Sequence, residues 1–125
     1  MDLSNLKVEG EWLEIEIIEP KEFAGTIKLL IVPRPYSSTM KMLLHDDLDL
    51  LLANLVIDWN LWKDGKKIEP TQQNKLVYFA MMYGWKLKEY KYTSKDVKQK
   101  NFGTEIIAFA QDIKNFTKNS KPTLN

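Results

Sequence analysis

His45-Asp46-Asp47-Leu48-Asp49 is the cluster of this chain richest in metal-ligand atoms, and His45 is the sole histidine. On a helix His45 and Asp49 lie four residues apart on one face, the spacing that a two-point metal site uses. Two ligands fall short of the four that a zinc centre needs, and no distant Glu or Asp stands out as a third. The cluster therefore reads as a solvated acidic helix face, with no metal and no cofactor expected. The serines lack a catalytic partner, because the sole histidine sits in that charged stretch and no Gly-rich elbow occurs elsewhere. No phosphate-cradling loop is present either. With neither nucleophile and base nor metal set, the chain is expected to be non-enzymatic.

Two further groups of side chains bear on binding. Between Tyr83 and Lys100, six lysines stand against Glu89 and Asp96, a local excess of four positive charges interleaved with Trp85, Tyr90 and Tyr92. Bases stack on aromatic rings while lysines hold phosphates, so segment 83–100 is the candidate for nucleic acid. Arginine is nearly absent from the chain, and Trp85 and Tyr90 serve equally well as anchors of an extended segment to a core. Nucleic-acid binding is thus the alternative reading and not the leading one. The methionines at 40, 42, 81 and 82 form the second group. Flexible thioethers adapt to different partners, and a Met-bearing helix face can be an interaction groove, although core filling is their ordinary role. Asn115-Phe116-Thr117 fits the glycosylation pattern by chance alone if the chain is cytoplasmic.

Composition sets the frame for these groups. The 125 residues, 44% hydrophobic and 11% aromatic, suffice for one domain with a real core. Eighteen basic against seventeen acidic residues leave a formal charge of +1, so no global field draws the chain to nucleic acid or to an anionic membrane. Zero cysteines rule out disulfides and thiolate metal sites and fit a reducing compartment. The start, Met1-Asp2-Leu3-Ser4-Asn5-Leu6-Lys7, has no basic region followed by an apolar run, and no apolar stretch reaches the roughly 18 residues that span a bilayer. A cytoplasmic location without membrane contact is expected.

The elements that would position these residues follow from periodicity. Residues 11–18 set Trp12, Ile15 and Ile17 among acidic residues, with Glu14 and Glu16 marking an exposed face, which predicts a half-buried strand. Thr26 to Val32 is a second β-branched run, and the two are expected to pair as an antiparallel hairpin ended by Pro33-Arg34-Pro35. From Ser38 the apolar period becomes three to four, predicting a helix over 39–53 with Leu43, Leu44, Leu48, Leu51 and Leu52 on one face. Asp64-Gly65 supplies the positive φ angles of a two-residue type I′ turn, predicting a second hairpin beside Trp59. A helix follows over 71–83, stopped by Gly84. Residues 85–92 are either an edge strand or an extended connector. Ser94 and Asp96 begin a short polar helix, and Gly103-Thr104 introduces a last helix over 104–117 with a stripe of Ile106, Phe109, Ala110, Ile113 and Phe116. The expected architecture is α+β, with an N-terminal antiparallel hairpin, a short second hairpin and three to four helices. One domain covers residues 1–117, and 118–125 form a flexible tail.

Trp59-Asn60-Leu61, Asp64-Gly65-Lys66 and Ile68-Glu69-Pro70-Thr71 together resemble the stretch W-N-L…D-G-K-P-I-P-x-T of tail assembly chaperones, small proteins of long-tailed bacteriophages. The resemblance spans about residues 11–83. Lys67 stands where a proline is frequent, Trp62 adds a second indole, and nothing after Gly84 takes part. It implies a non-enzymatic protein that binds the helix-prone tape-measure protein or the tail-tube protein in the host cytoplasm during assembly. Apolar helical stripes aggregate unless covered, and a small domain with an apolar helical groove covers them reversibly. The expected partner-binding face comprises Met40, Leu44, Leu48, Leu51, Phe79, Met81 and Met82.

Overall fold

The alternation of residues 11–19 becomes β1 (Glu11–Glu19), and a single 3₁₀ turn at Lys21–Phe23 leads into β2 (Gly25–Ile31). The computed structural model describes residues 10–33 and 48–120. The two strands pair antiparallel from Glu11↔Ile31 to Ile17↔Gly25, so the expected hairpin is present. Leu13, Ile15 and Ile17 point inward, as do Ile27, Leu29 and Ile31. Trp12 shares the parity of Glu14 and Glu16 and is 49% exposed opposite Leu30, because a strand sends alternate side chains to opposite faces. The inward position at this end of the strand belongs to Leu13.

Helix α1 (Leu48–Leu55) runs without a loop into β3 (Val56–Trp59), which pairs antiparallel with β2. The segment expected to start this helix, including Met40, Leu44 and His45, lies outside the described residues. Trp59 thus belongs to the main sheet, while the second hairpin is a separate ribbon of β4 (Trp62–Lys63) and β5 (Lys66–Lys67). Its turn has φ of 52° at Asp64 and 77° at Gly65, as the Asp-Gly pair predicts.

Helix α2 (Gln72–Met82) begins at Thr71, whose hydroxyl accepts from Asn74 N at 3.1 Å, and it stops with Gly84 N donating to Met81 O. The ambiguous stretch after it resolves into β6 (Lys86–Leu87), which pairs with the end of β1 and gives a sheet of order β3-β2-β1-β6. The short polar helix expected near Ser94 is only a turn, closed by Val97 N to Ser94 O and by Asp96 N to Ser94 Oγ. A few polar residues without an apolar face cannot offset the cost of nucleating a helix.

The last helix, α3, spans Phe102–Ser120 and so takes in the first three residues of the expected tail. Pro122 is the first proline after it, and the chain offers no earlier breaker. Its cap is a reciprocal box: Thr104 N donates to Asn101 Oδ1 and Asn101 N to Thr104 Oγ1, each at 3.0 Å. Gly103 sits in this first turn because a Cβ there would meet the Tyr83 ring at 3.0 Å and Leu52 Cδ1 at 3.4 Å. Phe102, Ile106, Phe109 and Ile113 join the inner sheet face, Leu51, Phe79 and Met82 in one apolar cluster. The result is a small α+β domain with, among the described residues, an antiparallel sheet and three α-helices.

Candidate partner-binding face

Helix α2 buries an apolar side and carries no charged outer side. Among its eleven residues Lys75 is the only charged one, and its Nζ folds onto α1 to donate to Ala53 O at 3.1 Å. That contact places a cation against carbonyls of the last turn of α1, where the helix dipole favours it. Phe79 and Met82 are fully buried, whereas Val77 is 52%, Met81 45% and Leu76 37% exposed, with Ala80 exposed among them. Residues 76, 77, 80 and 81 are neighbours on a helix surface, so they make one continuous apolar ridge about two turns long. A helix at a protein surface normally carries charge on its outer face.

This arrangement redistributes the side chains expected to bind a partner. Leu51, Phe79 and Met82 are each 0% exposed, so a partner cannot touch them without opening the fold. Their spacing marked the inner face of each helix, which the sheet and α3 already cover. Leu48 is half-buried against the core, Met81 is on the ridge, and Met40 and Leu44 lie outside the described residues. Leu76 and Val77, absent from that expectation, are the ridge's other large members; the missing charge along Leu76 to Tyr83 was the signal for them.

The basic segment is less available than its composition implies. Lys86 pairs with Glu19 at 3.5 Å, Lys88 with Glu16 at 3.4 Å and Lys91 with Glu89 at 3.7 Å. Together with Lys28 and Glu14 at 3.7 Å, the Lys86–Glu19 and Lys88–Glu16 pairs make the outer sheet face a row of oppositely charged neighbours across strands, while Lys91 pairs locally in the segment after β6. Trp85 is buried and stacks on Phe23 with ring centroids 4.7 Å apart, which makes it an anchor and not a platform for bases.

A second feature, unforeseen in the sequence, holds the chain after β6. Glu105 is only 3% exposed, and its carboxylate accepts from the backbone N–H of Lys91, Tyr92 and Thr93 and from the Thr93 hydroxyl. These donors stand in for the water and the cation that a buried carboxylate otherwise requires. Burial, and secondarily the Glu105 charge, push the neighbouring Tyr90 phenol above its ordinary pKa. Glu105 lies four residues before Phe109 on the apolar stripe of α3, and an acid at that spacing was its signal. Between the gripped loop and α3 runs a cleft of about 530 Å³, lined by Thr93, Ser94, Val97, Thr104, Ala108 and Gln111 among others.

Among the described residues there is no group of three or more side chains able to hold a metal ion, and no helix long and apolar enough to cross a membrane. No family model, curated protein or solved structure matches this chain.

Proposed function

We propose that this protein is a non-enzymatic binding module of the tail assembly chaperone kind, which covers an apolar helical segment of a tape-measure or tail-tube protein through the outer ridge of α2. The observation that carries the reading is the charge-free, solvent-facing row Leu76, Val77, Ala80 and Met81. Interface cores are depleted of charge and enriched in Met and aromatic side chains, and an amphipathic helix docks through anchors at this spacing. The ridge is small. A stable interface buries about 800 Å² on each partner, and two turns of one helix offer less, which suits a protein that must let its client go. The Asp64-Gly65 turn and the Thr71 cap that carry the family resemblance frame this helix directly.

Nucleic acid remains the alternative, and the pairing of Lys86, Lys88 and Lys91 with carboxylates weakens it. Salt separates the two readings. Burial of an apolar ridge changes little with ionic strength, whereas phosphate contacts make affinity fall steeply as salt rises. The test is co-expression with the tape-measure and tail-tube proteins of the same genome, with co-purification measured at two salt concentrations beside a nucleic-acid shift assay. Salt-insensitive association with either tail protein supports the chaperone reading. A salt-sensitive shift abolished by Lys86→Glu with Lys88→Glu, and no association with a tail protein, contradicts it.

A further inference from the structure

The cleft between the 91–97 loop and α3 is remote in sequence from the α2 ridge, and its chemistry is different. Its volume of about 530 Å³ falls in the range of small-molecule sites, roughly 300 to 1,000 Å³. Both walls are fixed before any ligand arrives: Glu105 holds the loop through three amides and a hydroxyl, and the Asn101 and Thr104 box fixes the first turn of α3. A preformed wall spares a ligand the entropy of ordering it.

The hydrogen bonds already made decide what the walls still offer. Thr93 gives its hydroxyl proton to Glu105 Oε1 and Thr104 gives its own to Asn101 O, both at 2.8 Å, and Thr104 Oγ1 already accepts from Asn101 N at 3.0 Å, so neither hydroxyl has a proton left for a ligand. Ser94 Oγ accepts from Asp96 N and keeps its proton to donate. Gln111, exposed on the rim, offers one of each kind, and Asp112 beside it accepts. Among the described residues one cation and one anion line the cleft, and that cation, Lys91, is drawn to Glu89, so these residues offer no pair of positive groups to a phosphate. Val97, Ile107 and Ala108 supply an apolar patch between these polar rims.

We propose that this cleft is a binding site for a neutral polyhydroxylated ligand, a sugar of one or two rings. Vicinal hydroxyls donate and accept at once and so match the mixed rims, while the C–H face of the ring lies on the apolar patch. The site works independently of the α2 ridge, and either can fail alone.

The experiment is a titration of the ¹⁵N-labelled full chain with glucose, galactose, mannose, N-acetylglucosamine and maltose, followed by amide chemical shifts. Saturable shifts confined to residues 91–97 and 104–112 are expected with at least one of these sugars. Gln111→Ala with Asp112→Ala, both exposed, should weaken the response about tenfold, the loss of one to two hydrogen bonds. Ala108→Trp should abolish it by filling the groove; if that variant does not fold, the rim pair alone carries the test. Val77→Asp on α2 should leave the response unchanged. No shift with any of the sugars, shifts that survive Ala108→Trp, or a stronger response to glycine, inorganic phosphate or spermidine would overturn the proposal.

Discussion

Trp59 joins three elements through one side chain: its backbone lies opposite Leu29 in the sheet, its ring meets Tyr78 and Phe79 of α2 edge-on, and its Nε1 donates to Ile68 O beyond the second hairpin. It is 1% exposed, so Trp59→Ala should cost about 3 to 5 kcal/mol, read as a lower denaturation midpoint. A variant of unchanged stability would show that the indole is not part of the core. Glu105 is the polar counterpart. Glu105→Gln points an amide group at donors that need an acceptor, and a hydrogen bond to a charged group is worth roughly 1.5 to 3 kcal/mol. A stability loss on the order of 2 kcal/mol is expected, with faster hydrogen exchange at Lys91, Tyr92 and Thr93; exchange at the wild-type rate would refute the anchoring role. Asp58 gives the acid response of the sheet edge. Its hydrogen bond from Lys67 Nζ at 2.9 Å is the largest effect; burial opposes it, the hydrogen bond from Trp59 N and the Lys67 charge add to it, and the balance holds the carboxyl below its usual range. A carboxyl depressed in the folded state stabilises above the ordinary value near 3.9, and this contribution fades as pH falls through the folded-state value. Asp58 is 35% exposed at the side chain, so Asp58→Asn should cost less than about 1 kcal/mol at neutral pH and flatten the acid end of the stability curve.

Elements with a strong local signal were legible in the chain. Alternation marked β1, a β-branched run marked β2, Asp64-Gly65 marked the ribbon, and Thr71 and Gly84 bracketed α2 to within a residue or two. What eluded local reading depends on distant partners. β6 is two residues long and exists because Lys86 and Leu87 meet the end of β1, some seventy residues earlier in the chain. Segment 91–97 is ordered by Glu105 on another element, so no pattern of its own could reveal its shape. The candidate face was half legible for a related reason. Apolar spacing identifies the stripe that a helix buries, and Leu51, Phe79 and Met82 are that stripe. The outer side of α2 is identified instead by what it lacks. Val77→Asp and Met81→Asp are therefore expected to shift stability by no more than about 0.5 kcal/mol each, since they change exposed positions. Losses of several kcal/mol would place these side chains in a packed contact and remove them from the free surface.

The two sides of the small domain differ in surface chemistry. The outer sheet face neutralises its own charges through Glu14 with Lys28, Glu16 with Lys88 and Glu19 with Lys86, and it gives an anionic polymer little to hold. The helical side exposes the uncharged α2 ridge, and the formal charge of +1 leaves it accessible to partners of either sign. Binding through the α2 ridge is tested by co-purification of the tape-measure protein with the wild-type chain and with the Val77→Asp, Met81→Asp double variant, after both chains are shown to melt alike. The wild type is expected to hold the partner in solution at low and high salt, and the double variant, equally stable, is expected not to. Equal co-purification by the two chains would contradict it and move the binding surface away from α2.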